Sequence, residues 1–228
     1  KIKISQEDLA ELSNTAKPFE FNSLISFKEA IRWAGKDLAA VIMEPARSEY
    51  PDLTFLKEIR KYTTKKNIPL IFDEISSGYR ETNGGYHLSF SNITPDVAVF
   101  SKAIGNGYPI SAIIGKNKIM KQAEKSFISS TNWTECSGLA ASIAVNNIYD
   151  RMDVVSHISF IGRLWQESIK ELSQKLNFNL QVGGIYGLST FMYPKKADLF
   201  RTLFTVLSLK KGYLTSARFY PNFIHKER

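Results

Sequence analysis

Three short runs, apolar until their last residues, constrain the fold more than any other feature of this chain. They are AAVIME at 39–44, IPLIFDE at 68–74 and DVAVFSK at 96–102. Each is too short for a buried helix, and none alternates as a strand with one wet face does. Unbroken apolar strands are buried on both faces, which is the signature of a parallel sheet covered by helices. Between the first two runs, Leu53, Leu56, Ile59 and Arg60 open a helical pattern that continues to about Lys66. SAIIG at 111–115 is a fourth strand candidate. The first half of the chain therefore reads as α/β, with a largely parallel sheet.

Downstream the pattern changes. A short helix is expected near 116–125, a polar stretch SSTNWTE fills 129–135, and small and apolar residues at 136–150 suit a tightly packed helix. Ile158, Ile161, Leu164, Trp165, Ile169, Leu172 and Leu176 recur at helical spacing over 154–176. Strand-like segments at 183–193 and 213–215 then flank a helix near 197–210. The shift predicts two domains, 1–152 from a large sheet domain and 153–228 as a smaller α+β domain.

Composition excludes several function classes. The longest apolar stretches fall far short of the ~20 residues of a membrane helix, and the opening KIKISQEDLAEL has no signal-peptide character. One cysteine, Cys136, leaves no internal disulfide and fits a reducing compartment, so the expected location is the cytoplasm. The net charge of +8 comes mainly from scattered lysines such as Lys57, Lys61, Lys65, Lys66, Lys116, Lys118, Lys121 and Lys125. These read as solvated helix faces, not as a nucleic-acid surface. No cluster suggests a metal, and no G-x-G-x-x-G follows the first strand, which removes the support for a dinucleotide fold.

Chemistry is expected where the strands end, because ligands of open α/β sheets collect at their carboxyl ends. Asp73 and Lys102 both sit there, 29 residues apart. Alone, a strand ending in Asp-Glu occurs in many nucleotide and metal enzymes, and a lysine after a strand is commonly surface. Together, FDEISSGYR and TPDVAVFSKAIGNGYPISAIIG resemble the class III aminotransferases in order, spacing and flanks. The resemblance is nearest the glutamate-1-semialdehyde aminomutase-like branch and extends through SSTNWTECSGLAA, VGGIYGLSTFM and KKGYLTSARF.

That resemblance implies the fold of type I pyridoxal 5'-phosphate enzymes and pyridoxal phosphate as cofactor. It implies Lys102 as the Schiff-base lysine and Asp73 as the partner of the pyridine nitrogen. Ile75 would pack on the ring, unless it is ordinary core, and Ser76 falls where many relatives place a glutamine near the ring hydroxyl. Thr131 matches a threonine that reaches the phosphate of the neighbouring subunit's cofactor, which implies a homodimer with shared sites. Glu44, of the Glu-Pro pair, would support the site from behind. The family's large domain begins upstream of Lys1, so an N-terminally truncated chain is expected. Tyr220 stands where the aminomutases tend to carry glutamate, which favours transfer between an amino donor and an aldehyde or keto acceptor over 2,1-isomerisation. A subunit used only for assembly is the non-enzymatic alternative.

Overall fold

The computed structural model describes residues 15–128 and 134–227. They fall into two compact units, one within residues 15–41 and 51–69, the other within 42–50, 70–128 and 134–227.

The first unit is built on two helices. Helix α1 (Leu24–Ala34) starts at Ser23, whose hydroxyl accepts the Ser26 N–H. Helix α2 (Leu53–Lys66) starts at Asp52, whose carboxylate accepts from Thr54 N at 2.6 Å and lies at the positive end of the helix dipole. It ends at Asn67 in the left-handed conformation, φ 54°. Phe19, Phe21, Phe27, Phe55 and Tyr62 form a chain of edge-to-face and tilted ring contacts between these elements. The sequence reading placed α2 correctly and left α1 unread.

The second unit contains a four-stranded sheet in the order β1 (Val41–Met43), β2 (Leu70–Asp73), β3 (Val97–Phe100), β4 (Ala112–Gly115). Strands β2 and β3 are parallel, with Asp73 opposite Val99, and β4 runs antiparallel to β3. Asp96 ties the two parallel strands together at their start, its carboxylate accepting from Leu70 N at 2.9 Å and from Lys116 Nζ at 2.6 Å. The short α3 (Asn117–Met120) follows β4. Tyr79, Ala98, Phe100, Ile104 and Val145 form a buried cluster between the sheet and α4 (Ser137–Arg151). Helix α4 is less enclosed than its composition suggested, since Leu139, Ile143 and Ile148 are all exposed.

A second, antiparallel sheet of β5 (Gln181–Gly183), β6 (Ser189–Met192) and β7 (Arg218–Phe219) packs with α5 (Val154–Lys175) and α6 (Ala197–Lys210). Trp165 of α5 stacks on Phe219 at 5.4 Å, and Phe204 of α6 meets Phe191 edge-on. Gly162 lets α5 approach the 186 loop, where any Cβ would collide with the Tyr186 carbonyl. The last strand was expected at 213–215 and lies at Arg218–Phe219. Thr190 pairs there with Arg218, and 213–215 carry no strand pairing.

Candidate active site

Both residues expected to carry chemistry lie at the carboxyl end of the parallel pair. Asp73 closes β2, and Glu74 N donates to Val99 O at 2.8 Å, so the ladder continues to the residue just beyond it. Lys102 follows β3 by two residues. The chain then turns sharply. Lys102 has φ 49°, a left-handed conformation costly for a residue with a side chain. Hydrogen bonds from Gly105 N (3.2 Å) and Asn106 N (2.9 Å) to Lys102 O hold it there. Gly105 is required by the same turn, because a Cβ would strike the Tyr108 carbonyl and the Ile110 side chain.

The turn after β2 brings Ser76 to Lys102. Ser76 is buried, and its hydroxyl accepts a hydrogen bond from Lys102 Nζ at 2.8 Å. Asp73 is half-buried, and Oδ1 accepts from Ile75 N at 3.0 Å. Among the described residues no donor is recorded to its second oxygen. Ile75 is half-buried beside it. The structure thus brings together Asp73, Ile75, Ser76 and Lys102. Glu44 is half-buried after β1, and both of its carboxylate oxygens lie 3.2 Å from Arg47. Thr131 lies outside the described residues.

Several residues that the sequence did not single out hold this corner in place. Glu74 is fully buried and accepts from Ser77 Oγ (2.6 Å), Tyr86 N (3.0 Å) and His87 N (3.1 Å). His87 Nδ1 is 3.0 Å from the same carboxylate, and the contact is a hydrogen bond in the tautomer with a proton on Nδ1. Arg80 Nε donates to Ser76 O at 2.9 Å, Nη1 donates to Gly187 O at 3.3 Å, and the guanidinium lies 5.7 Å from the Tyr220 ring centre. Burial pulls Arg80 below the ordinary guanidinium value. From α4, Tyr149 Oη donates to Tyr79 O at 2.6 Å and Asn146 Oδ1 accepts from Tyr79 Oη.

A second network lies beside this one. Tyr50 Oη donates to the Glu81 carboxylate and accepts from Tyr186 N, and Gly187 N donates to Glu81. Burial raises the Glu81 carboxyl, against the lowering effect of these donors. It also pushes the Tyr86 phenol up to about 12.

An amine fixed beside a hydroxyl, one strand away from a carboxylate with acceptor capacity to spare, suits a ligand bearing both a reactive carbonyl and a cationic ring nitrogen. The class-III aminotransferase sequence profile matches residues 3–206. The chain belongs to that family. It is 30% identical to the 3-aminobutyryl-CoA aminotransferase of Cloacimonas acidaminovorans, covering 82% of this chain and 47% of the relative. It is 31% identical to the glutamate-1-semialdehyde 2,1-aminomutase of Nitrosopumilus maritimus, covering 92% and 54%.

Among solved structures, the pyridoxal-phosphate internal aldimine form of the Sphingopyxis sp. MTA144 FumI protein superposes with a TM-score of 0.82 at 22% identity, over 92% of this chain and 53% of that one. Acetylornithine aminotransferase from Elizabethkingia anophelis superposes at 0.76, also at 22% identity, over 91% and 57%. These likenesses establish the type I fold of pyridoxal-phosphate transferases. The chain spans about half the length of the curated relatives it matches. Among the described residues no helix is long and apolar enough to cross a membrane, and no group of three or more His, Cys, Asp or Glu could hold a metal ion.

Proposed function

We propose that this chain carries the lysine and the ring-nitrogen carboxylate of a pyridoxal-phosphate aminotransferase, which moves an amino group between an amino donor and an aldehyde or keto acceptor. The observation that carries this reading is the pairing of Lys102 Nζ with Ser76 Oγ at 2.8 Å, one parallel strand away from Asp73. The residues fit the cofactor: a primary amine for its aldehyde, and for its pyridinium N–H a carboxylate whose second oxygen accepts from no donor among the described residues.

Pyridoxal phosphate, when bound, supplies the electron sink that lets the substrate's Cα–H bond break. Lys102 would hold the aldehyde of the cofactor, and its amine, when free, would move a proton as a general base and acid. Asp73 would accept from the pyridine nitrogen and keep it protonated, because a carboxylate beside a cation favours the charged form of both. Ile75 and Ser76 would help to hold the cofactor's ring, and Glu44, paired with Arg47, would support the site. Thr131, by the family resemblance, would serve the cofactor phosphate of a second copy of the chain, and a homodimer with shared sites would be the working assembly. Residues 1–152 belong to the cofactor-binding domain and 153–228 to the small domain. The cytoplasm is the compartment that suits a single, exposed, unpaired Cys136.

A second reading, 2,1-aminomutase, is favoured by the similarity to aminomutases, and Tyr220 in place of their glutamate speaks against it. Product analysis separates the two. The protein is mixed with pyridoxal phosphate and candidate amino aldehydes, with and without an external amino donor. Transfer that requires the donor, and that Lys102→Ala abolishes, is the expected result. Isomerisation without a donor identifies the aminomutase, and turnover that survives Lys102→Ala rejects both.

A further inference from the structure

Ser76 is more than a neighbour of the ring hydroxyl. We propose that it is the positioning residue for the free Lys102 amine: its hydroxyl docks Nζ whenever that amine is not bonded to the cofactor, and aims it at the carbon whose proton it must move. The inference rests on the assignment of Lys102 as the cofactor lysine.

The contact is built from both sides. On one side Lys102 is pinned in a left-handed turn by two hydrogen bonds to its own carbonyl, so the stem of its side chain leaves the backbone in a fixed direction. On the other, Ser76 is buried in a turn that little can shift. Its carbonyl accepts from Arg80 Nε, Gly78 N donates to Glu74 O at 2.8 Å, and the flanking Glu74 and Ser77 are fully buried and joined at 2.6 Å. A Cβ on Gly78 would press on the Glu74 carbonyl and the Phe100 ring, so the turn is also packed from below. A long, rotamer-rich lysine held at 2.8 Å between two such anchors loses freedom that it would otherwise keep. A group that must transfer a proton at one carbon gains rate from that restriction. Serine suits the task because its hydroxyl accepts from the ammonium and can donate to the neutral amine, so the dock serves both protonation states.

The test uses the cofactor-free chain, so its readout does not depend on turnover. The protein is acetylated under limiting reagent and the rate at Lys102 is followed by peptide mass spectrometry, with exposed Lys57 as the internal reference. In Ser76→Ala, Lys102 should react about fivefold faster relative to Lys57, the equivalent of about 1 kcal/mol for one hydrogen bond. Ser76→Thr, which keeps the hydroxyl, should react as the parent does. Equal rates in the parent and Ser76→Ala overturn the proposal. Should Ser76→Ala fail to fold, the parent alone decides, since Lys102 reacting as fast as Lys57 also overturns it. Capture of pyridoxal phosphate at a lysine other than Lys102 would instead defeat the functional reading, and the acetylation rates keep the two failures distinguishable.

Discussion

Asp73 and Glu74 are adjacent carboxylates at the end of the same strand, and their surroundings differ completely. Glu74 has no exposed surface and four donor contacts, one from Ser77 Oγ, one from Tyr86 N and two from His87. Asp73 is half-buried and among the described residues takes one, from Ile75 N. A carboxylate whose lone pairs are filled by protein donors is committed to structure, because removing it strands every donor. One with acceptor capacity left can serve a ligand. The difference separates a carboxylate committed to holding the corner from one with capacity left for a ligand.

The comparison can be broken from either side. The largest expected effect is on activity: Asp73→Asn should lower kcat/KM about a thousandfold, as loss of a single electrostatic partner of developing charge does. Its unfolding free energy should change by less than about 0.5 kcal/mol. Glu74→Ala should do the reverse in kind, costing about 3 kcal/mol in denaturant unfolding as four donors lose their acceptor. If the two variants were equally destabilised, the division of labour would be wrong.

The resemblance singles out Asp73 and Lys102, but the hydrophobic pattern by itself does not separate Asp73 from Glu74. Both end the same apolar run, and what distinguishes them is a loop arriving twelve residues later. The fold was legible where burial is uniform. The runs at 39–44, 68–74 and 96–102 became β1, β2 and β3, and the helices expected to begin near 53, 154 and 197 became α2, α5 and α6. It was less legible where tertiary pairing decides. Strand β7 is two residues long and is held by register with Ser189 and Thr190, which no local pattern announces. The small and apolar residues of α4 suit a tightly packed helix, but among its residues only Gly138 and Val145 are buried. Helix α1 carries a local signal in the Ser23 cap ahead of Phe27 and Ala30.

Smaller effects sharpen the contrast. His87→Ala should cost about 1–2 kcal/mol in unfolding free energy, while His87→Asn, which can place a donor near the Nδ1 position, should recover much of it. Equal losses in the two would show that ring packing matters and the Glu74 hydrogen bond does not.

The smallest effect concerns Glu81, whose carboxyl is raised by burial. A carboxyl with a folded-state pKa above its unfolded one binds more protons when folded. Its contribution is therefore greatest below the ordinary glutamate range and is lost as pH rises through the raised value. Glu81→Gln should flatten that part of the stability profile and change stability at neutral pH by less than about 1 kcal/mol. An unchanged slope would contradict the assignment.

The most direct test of the central claim is reductive trapping. The protein is incubated with pyridoxal phosphate, reduced with borohydride, digested and mapped by mass spectrometry. The structure predicts one phosphopyridoxyl group per chain, on Lys102, absent in Lys102→Ala and weakened in Asp73→Asn. Label spread over surface lysines, with no preference for Lys102, would contradict it.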